Sequence, residues 1–355
     1  MPRGFSVYLD LMRLTAAIVV LLSHFGKTQF TGGKFPFPEH IGHAAVVIFF
    51  VLSGYVISYV ARERERDVRD YAASRFTRIY SVVLPAILLS ILVDLLKPGA
   101  SAGYQYQHFF QYLALFLAFG SDFWFLNENP YSNGAFWSLS YEVPYYILFA
   151  CWFYFTGMRR YLFSAITLLI IGPRQWILFP LWLAGAEVSA WHRTHAIGRL
   201  RARILFAISL TLLVGLVGSQ ADLFVDALFW DLFPPGATKF LRYSNYFAGD
   251  FVIGAVVSLN LLTARYADFR FGLAAKPIVA GAGCSFTLYL IHTPLLTFFN
   301  VYLGLSSLPL LAATLASVWV IAQFTENQKT RLRRQVRRIF FHSTTPARDS
   351  IIKTN

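Results

Sequence analysis

The chain has 355 residues, of which 56% are hydrophobic and 14% charged, and its mean hydropathy is +0.52. Soluble domains carry about 25% charged residues, so this composition excludes an ordinary water-soluble protein. The net charge of +13 comes from loop residues and not from a basic groove or a DNA-binding motif, so we expect no nucleic-acid partner. Both cysteines, Cys151 and Cys284, lie in apolar runs, so we expect packing residues and neither a disulfide framework nor a metal site.

The apolar residues form separate runs divided by short polar segments, as membrane-spanning helices of ~20 residues require. The predicted spans lie at 7–25, 41–60, 79–96, 137–157, 161–172, 175–191, 204–219, 240–263, 278–300 and 307–325. The sequence therefore predicts an all-α integral membrane protein of about ten transmembrane helices. We expect one transmembrane domain over residues 1–327 and a basic cytoplasmic tail over 328–355.

Basic residues orient the predicted spans, because Lys and Arg concentrate in cytoplasmic loops. The basic segments are 61–78, 159–160, 193–203, 265–276 and the tail, which contains Lys329, Arg331, Arg333, Arg334, Arg337 and Arg338. All five lie inside only if the ambiguous run at 109–126 does not cross once. We therefore predict that 109–126 is re-entrant, interfacial or a tight in-and-out pair, and that both termini are cytoplasmic. The acidic segment with Asp222, Asp226 and Asp231 is then outside.

Ionisable residues inside spans are costly, which makes them candidates for chemistry. Arg13 and His24 share the first span, ~16 Å apart and on nearly the same helix face. Glu142 lies two residues before Pro144 in a later span, and His292 lies in the outer part of the span at 278–300. The predicted topology places His24, Glu142 and His292 at similar depth near the outer side.

Each candidate also has a structural interpretation. A single histidine near a span end is often only hydrogen-bonded. Arg13 can pair with Asp10 or extend to the inner interface. For Arg75 and Arg78, at the cytoplasmic end of the span that begins at 79, the structural interpretation is that they are topology anchors and nothing more. The shared depth of the acid–base groups favours a functional site.

Five segments, taken in order, resemble the successive motifs of the membrane-bound acyltransferase family 3. They are 8–13 (YLDLMR) continuing to His24, 49–55 (FFVLSGY), 75–80 (RFTRIY), 137–142 (WSLSYE) and 285–292 (SFTLYLIH). The chain departs from the family pattern at Leu11 and Leu14, where glycine is common, and at 143–144, where Val-Pro replaces a common Glu-Gln. The second departure leaves Glu142 without a neighbouring carboxylate.

The resemblance implies a multi-pass enzyme of the bacterial inner membrane that transfers an acyl group, commonly acetyl, from acyl-CoA to a sugar hydroxyl. Acceptors in the family include exopolysaccharide units, O-antigen, peptidoglycan, glucans and macrolide sugars. No permanently bound cofactor is implied; acetyl-CoA or another acyl-CoA is the donor substrate. The partners expected are the lipid bilayer, the acyl-CoA and a glycan or glycolipid acceptor.

Topology and resemblance together give a hypothesis for the mechanism. Acyl-CoA enters from the cytoplasm, with Arg75 and Arg78 on its phosphates and Arg13 along the pantetheine path. His24 deprotonates the acceptor hydroxyl, and Glu142 orients the imidazole. An acyl-His24 intermediate is equally compatible with the sequence. We expect the acceptor side to be lined by Tyr146, Tyr289 and His292.

A transporter is the alternative, with Glu142, His24 and His292 forming a proton or substrate path for a sugar, glycolipid or acyl compound. Against it, no pair of broken helices recurs in the two halves of the sequence, and a carrier gives the pair Arg75 and Arg78 no role. A purely structural membrane subunit would leave Glu142 unexplained.

Overall fold

The computed structural model describes residues 1–96, 103–131, 133–234, 236–328 and 332–335, and within these ranges the chain is helical without strands. The helices are α1 (Arg3–Phe25), α2 (Thr28–Thr31), α3 (Glu39–Arg64), α4 (Val68–Leu96), α5 (Gly103–Gln107), α6 (Phe109–Leu117), α7 (Leu139–Tyr154), α8 (Gly157–Ile171), α9 (Pro173–Trp191), α10 (Arg199–Gly218), α11 (Ala221–Trp230), α12 (Phe247–Ala264), α13 (Ala275–Ala282), α14 (Ser285–Leu303) and α15 (Ser307–Phe324). The all-helical prediction is confirmed for this part of the chain. Most of the predicted tail, including Lys329, Arg331, Arg337 and Arg338, lies outside the described residues.

Every predicted span coincides with at least one of these helices. Within the described part of the chain, seven helices are long and apolar enough to cross a membrane: α1, α3, α4, α10, α12, α14 and α15. Helices α7 and α8 have 16 and 15 residues. At 1.5 Å per residue they reach ~24 and ~22 Å, less than the ~30 Å hydrocarbon core. The structure supports a multi-pass membrane protein, while the count of ten spans and the cytoplasmic termini stay predictions.

The span predicted at 278–300 is divided into two helices. Helix α13 ends at Ala282, and α14 begins at Ser285 after a turn through Gly283. The buried carboxylate of Glu326 accepts hydrogen bonds from the backbone N–H groups of Phe286 and Thr287, each at 3.2 Å. This carboxylate satisfies donors that a helix start leaves unpaired, which stabilises a new helix at this point.

The segment 61–78, predicted as a basic loop, is mostly helical. Helix α3 continues to Arg64, and α4 already begins at Val68. No glycine or proline interrupts residues 68–84, so the helix extends well beyond its apolar part. Arg75 and Arg78 therefore lie on one helix, three residues apart.

The ambiguous run at 109–126 does not form a full span. Its helix α6 has nine residues, ~14 Å in length. The irregular chain that follows is held against the bundle, because the Tyr80 hydroxyl donates to the Leu117 carbonyl at 2.7 Å and the Trp124 amide to the Ile171 carbonyl at 3.1 Å. A helix of this length is too short to span the hydrocarbon core. The re-entrant or interfacial placement of 109–126 stays a prediction.

Exposed apolar residues form continuous helix faces that suit lipid. On α4 the side chains of Leu84, Leu88, Leu92 and Leu95 are at least half exposed and follow one face at helical spacing. Helix α10 is apolar, yet only 11% of the residues in its apolar 18-residue stretch are buried. Such surfaces are unfavourable in water and expected in hydrocarbon.

Helix α3 lies at the centre of the bundle and packs against α1, α9 and α12. Its contact with α9 is made backbone to backbone. A Cβ on Gly54 would lie 1.8 Å from the Trp182 carbonyl oxygen, and a Cβ on Gly185 would lie 1.9 Å from the Val51 carbonyl oxygen. Small residues allow this close approach, which is a common way for membrane helices to associate. The contact holds the site residues of α3 in place.

Candidate active site

Two cavities lie within the bundle, and Val46 and Tyr289 line both of them. The residues of the first, called the Arg78 cavity, include Arg13, Val46, Phe49, Ser53, Arg78, Ser138, Glu142, Ser285 and Tyr289. The residues of the second, called the His24 cavity, include His24, Glu39, His40, His43, Val46, Trp137, Asp222, Asp226, Tyr243, Tyr246, Asp250 and Tyr289. Together they give the site two compartments of different charge.

The His24 cavity is formed at one end of three of the bundle helices. His24 lies in the last turn of α1, while His43 and Asp250 lie near the beginnings of α3 and α12. The basic ends of the same helices, such as Arg62 on α3 and Arg265 after α12, are at the opposite ends. If Lys and Arg mark the cytoplasmic side, the His24 cavity is on the outer side.

His24 and His292 are in direct contact. The Nδ1 atom of His24 is 2.7 Å from Nε2 of His292, and the two rings are inclined by only 19°. Nδ1 of His292 is 2.9 Å from the backbone carbonyl of Leu288. The sequence placed both histidines at similar depth, and the structure joins them in one hydrogen-bonded pair.

The partners of His292 define the tautomers of both rings. A carbonyl oxygen only accepts hydrogen bonds, so Nδ1 of His292 carries the proton that Leu288 receives. His292 is fully buried and forms no ion pair within the described chain, so a charged imidazolium would be costly there. Its Nε2 is then a lone-pair acceptor, and His24 must donate from Nδ1. In the neutral form of His24, the remaining nitrogen Nε2 therefore carries a lone pair, and the described residues supply no hydrogen-bond partner for it.

Glu142 does not contact His24, in contrast to the predicted orienting role. Its Oε1 atom accepts a hydrogen bond from Ser53 Oγ at 2.5 Å and a short one from the hydroxyl of Tyr146. Trp182 donates to the same Ser53 oxygen at 3.3 Å. Within the described residues no partner satisfies the second carboxylate oxygen. Glu142 therefore offers a fixed acceptor to the Arg78 cavity.

Two guanidinium groups line the Arg78 cavity. Arg13 is partly buried and forms a long ion pair with Asp10, at 3.8 Å. Arg78 is also partly buried, and no carboxylate among the described residues lies within ion-pair distance of it. A partly desolvated guanidinium without a protein counter-ion is well suited to an anionic ligand.

Arg75 is separated from this cavity. Its guanidinium lies 2.7 Å from the Glu65 carboxylate and 5.0 Å from the centre of the Tyr71 ring, and the side chain is buried. It lines a different, largely apolar cavity together with Tyr146. Arg75 and Arg78 therefore line different cavities. The contacts of Arg75 with Glu65 and Tyr71 indicate a structural role.

The two predicted tyrosines occupy different positions. Tyr289 lines both cavities, and its hydroxyl donates to Ser138 Oγ at 2.8 Å. Tyr146 binds Glu142 and lies outside the lining of both cavities. Its backbone carbonyl also accepts the Tyr71 hydroxyl at 2.9 Å. Tyr289 is thus shared by the two cavities, and Tyr146 supports Glu142.

The sequence analysis missed a pair in the His24 cavity, formed by the partly buried His43 and the buried Asp250. Nε2 of His43 lies 3.1 Å from both carboxylate oxygens of Asp250. Both residues lie within predicted spans, so the cost of ionisable groups in membranes was a signal for them as well. Ser53 lay inside a quoted motif without an assigned role. Among the described residues, no group of His, Cys, Asp and Glu side chains is arranged to hold a metal ion.

Comparisons with known proteins agree with the motifs. An acyltransferase named MdmB from Streptomyces mycarofaciens is 28% identical over 151 residues, 40% of this chain and 38% of that protein. An O-acetyl transferase of Shigella phage Sf6 is 37% identical over 84 residues, 23% of this chain and 24% of that protein. Both alignments thus cover well under half of either relative, and no solved structure matches. The profile of the acyltransferase domain family matches residues 6–323, nearly the whole chain. The protein therefore belongs to this family, the membrane-bound acyltransferase family 3.

Proposed function

We propose that the protein is an O-acyltransferase of the bacterial inner membrane that moves an acyl group, most simply acetyl, from acyl-CoA to a hydroxyl of a cell-surface or exported glycan. The observation that carries this proposal is the hydrogen-bonded pair of His24 and His292, in which Nε2 of His24 has no partner among the described residues. His24 lines a cavity that shares Val46 and Tyr289 with a second cavity lined by two arginines. One compartment suits the donor, and the other presents a base to the acceptor.

The Arg78 cavity is proposed to hold the donor. CoA carries several phosphate charges, and planar guanidinium groups bind phosphate oxygens in a bidentate way. Arg78 supplies such a group and has no ion-pair partner in the described part of the chain, and Arg13 continues the positive wall along α1. Glu142 presents its second oxygen to the same cavity, where it can accept an amide N–H of the pantetheine arm. In this arrangement the thioester lies beside Tyr289, which lines both cavities.

The reaction requires one proton acceptor next to the thioester. Nε2 of His24 takes the proton of the acceptor hydroxyl as its oxygen attacks the thioester carbonyl carbon. The tetrahedral intermediate collapses, the C–S bond breaks, and the CoA thiolate leaves with the proton that His24 returns. The products are the sugar ester and free CoA, and the enzyme is regenerated. The same free nitrogen could instead attack the thioester first and form an acyl-His24 intermediate, which gives the same products.

His292 acts as a positioning residue in this scheme. By accepting the Nδ1 proton of His24, it selects the tautomer with a free Nε2 and fixes the ring, as a third group does for the base in other acyl-transfer enzymes. Glu142 acts on the donor side through Ser53 and Tyr146 instead of orienting the base.

The proposal is tested by transfer of carbon-14-labelled acetyl-CoA into surface glycan in membranes that contain the protein. His24→Gln removes the base, and we expect transfer to fall by at least ~10²-fold. His195→Gln is the matched control, because His195 is exposed and outside both cavities. Equal transfer by wild type and His24→Gln would refute the role of His24. Transport of an unmodified sugar without CoA-dependent labelling would favour the transporter alternative.

A further inference from the structure

The His24 cavity has a marked negative charge, in contrast to the Arg78 cavity. Four carboxylates line it, and none of its lining residues is Lys or Arg. Two of the four are compensated: Glu39 pairs with Lys27 at 3.3 Å, and Asp250 pairs with His43 at 3.1 Å. Asp222 and Asp226, both on α11, have no ion-pair partner in the described part of the chain.

Asp222 carries a buried oxygen that lacks a hydrogen-bond donor. The residue is 5% exposed and lines the cavity, and its Oδ1 has no partner among the described residues. An unsatisfied buried acceptor is costly, commonly by ~1–3 kcal/mol, so such a group in a cavity suggests that a ligand supplies the donor.

The neighbouring structure holds these carboxylates in place. Asp226 accepts a hydrogen bond from the Gly249 amide at 3.0 Å. A Cβ on Gly249 would lie 2.5 Å from the Asp222 carbonyl oxygen, so α11 and α12 are in direct backbone contact. Across the cavity, Trp137 stacks between Tyr243 and His43, which makes that wall rigid. A preformed site of this kind binds a ligand without first having to order its own side chains.

We propose that the His24 cavity is the acceptor site, that Asp222 and Asp226 accept hydrogen bonds from the acceptor, and that the acceptor unit is a sugar without negative charge. Hydroxyl groups, or the ammonium of an amino sugar, supply the donors that Asp222 lacks. A sugar with a carboxylate, phosphate or sulfate would meet two uncompensated carboxylates in a largely desolvated space, where like charges repel strongly. This inference rests on the proposed function, because it places the acceptor beside Nε2 of His24.

The test is a binding measurement with the full chain in lipid nanodiscs. Three fluorescently labelled tetrasaccharides, composed of glucose, glucosamine or glucuronate units, are titrated against wild type. We expect the first two to bind and the glucuronate compound to bind at least roughly tenfold more weakly. In Asp222→Asn the ratio of glucose to glucuronate affinity should fall by roughly threefold, because one of the two repulsive charges is lost. Asp231→Asn, at an exposed carboxylate after α11 and outside the cavity, is the matched control.

The possible results distinguish a failure of this inference from a failure of the proposed function. Equal binding of glucose and glucuronate compounds by wild type would overturn it, as would equal behaviour of the Asp222 and Asp231 variants or the absence of binding by all three sugars. Binding of labelled acetyl-CoA is measured on the same samples. We expect it to be unchanged in Asp222→Asn, which also shows that the variant is folded. If wild type does not bind acetyl-CoA, the result would contradict the proposal that the Arg78 cavity holds the donor, and not the inference about the acceptor.

Discussion

Replacing His292 tests how the base is prepared for reaction. His292→Phe keeps a ring of similar size at a fully buried position but removes the Nε2 atom that accepts the His24 Nδ1 proton. The Leu288 carbonyl that loses its side-chain donor lies within a helix, four residues before position 292, so it retains a backbone donor. The substitution therefore acts mainly on His24.

The magnitude follows from that hydrogen bond. Loss of a buried bond of about 1–2 kcal/mol, if it is expressed in the transition state, lowers kcat by roughly fivefold to thirtyfold. The KM for acetyl-CoA should change little, because His292 does not line the Arg78 cavity. The assay is steady-state acetyl transfer by protein in nanodiscs, with the thermal midpoint measured in parallel.

A rescue variant distinguishes positioning from packing. His292→Gln carries a carbonyl oxygen that can accept the Nδ1 proton, so it should recover several-fold of the activity lost in His292→Phe. The reasoning would be refuted if His292→Phe kept kcat within about twofold of wild type, since the expected loss is larger. Equal losses in the two variants with equally lowered thermal midpoints would indicate that His292 is needed only for packing.

Three further predictions concern charged residues. Arg78→Gln should raise the KM for acetyl-CoA by roughly tenfold or more, measured in the same transfer assay, because a phosphate ligand is lost. Arg75→Gln should instead lower the thermal midpoint with little change in this KM, because it leaves the buried Glu65 carboxylate unpaired, a cost of about 3–5 kcal/mol. Burial raises the pKa of the Asp226 carboxyl from 3.8 to about 6, against an opposing hydrogen bond from Gly249. Ionised Asp226 therefore destabilises the folded state above that pKa, and Asp226→Asn should raise the thermal midpoint near neutral pH, with a gain that disappears below about pH 4.

These three results can each contradict the account. An equal increase in KM for the Arg75 and Arg78 variants would restore the predicted pair as a common phosphate site. An unchanged midpoint in Arg75→Gln would show that the Glu65 contact contributes little. A lower midpoint for Asp226→Asn near neutral pH would mean that its hydrogen bond to Gly249 outweighs the cost of burying the charge.

Hydrophobic runs predicted the helices well, because a bilayer requires long apolar segments and leaves few alternatives. They did not predict that α4 begins at Val68 or that a break precedes Ser285. Helix propensity extended the first beyond its apolar part, and a distant carboxylate, Glu326, stabilised the second. Contacts between residues far apart in sequence are invisible to a search for apolar periodicity.

The same limit applies to the site. Spacing and depth brought His24 and His292 to attention, and the structure pairs them. Similar depth led to the prediction that Glu142 contacts His24, whereas its partners in the structure are Ser53 and Tyr146. Residues at equal depth can lie on helices that face different cavities. The Asp250 partner of His43 is 207 positions away, so only the packing of α3 against α12 reveals the pair.

Sided transfer in oriented proteoliposomes tests the central claim, that donor and acceptor reach His24 through separate compartments. Vesicles of defined orientation receive labelled acetyl-CoA on one face and a glucose or glucosamine oligosaccharide on the other. The account predicts that label reaches the sugar only when acetyl-CoA is on the face with the basic helix ends, and that His24→Gln abolishes this transfer. Equal transfer with acetyl-CoA on either face, or transfer that persists in His24→Gln, would contradict it.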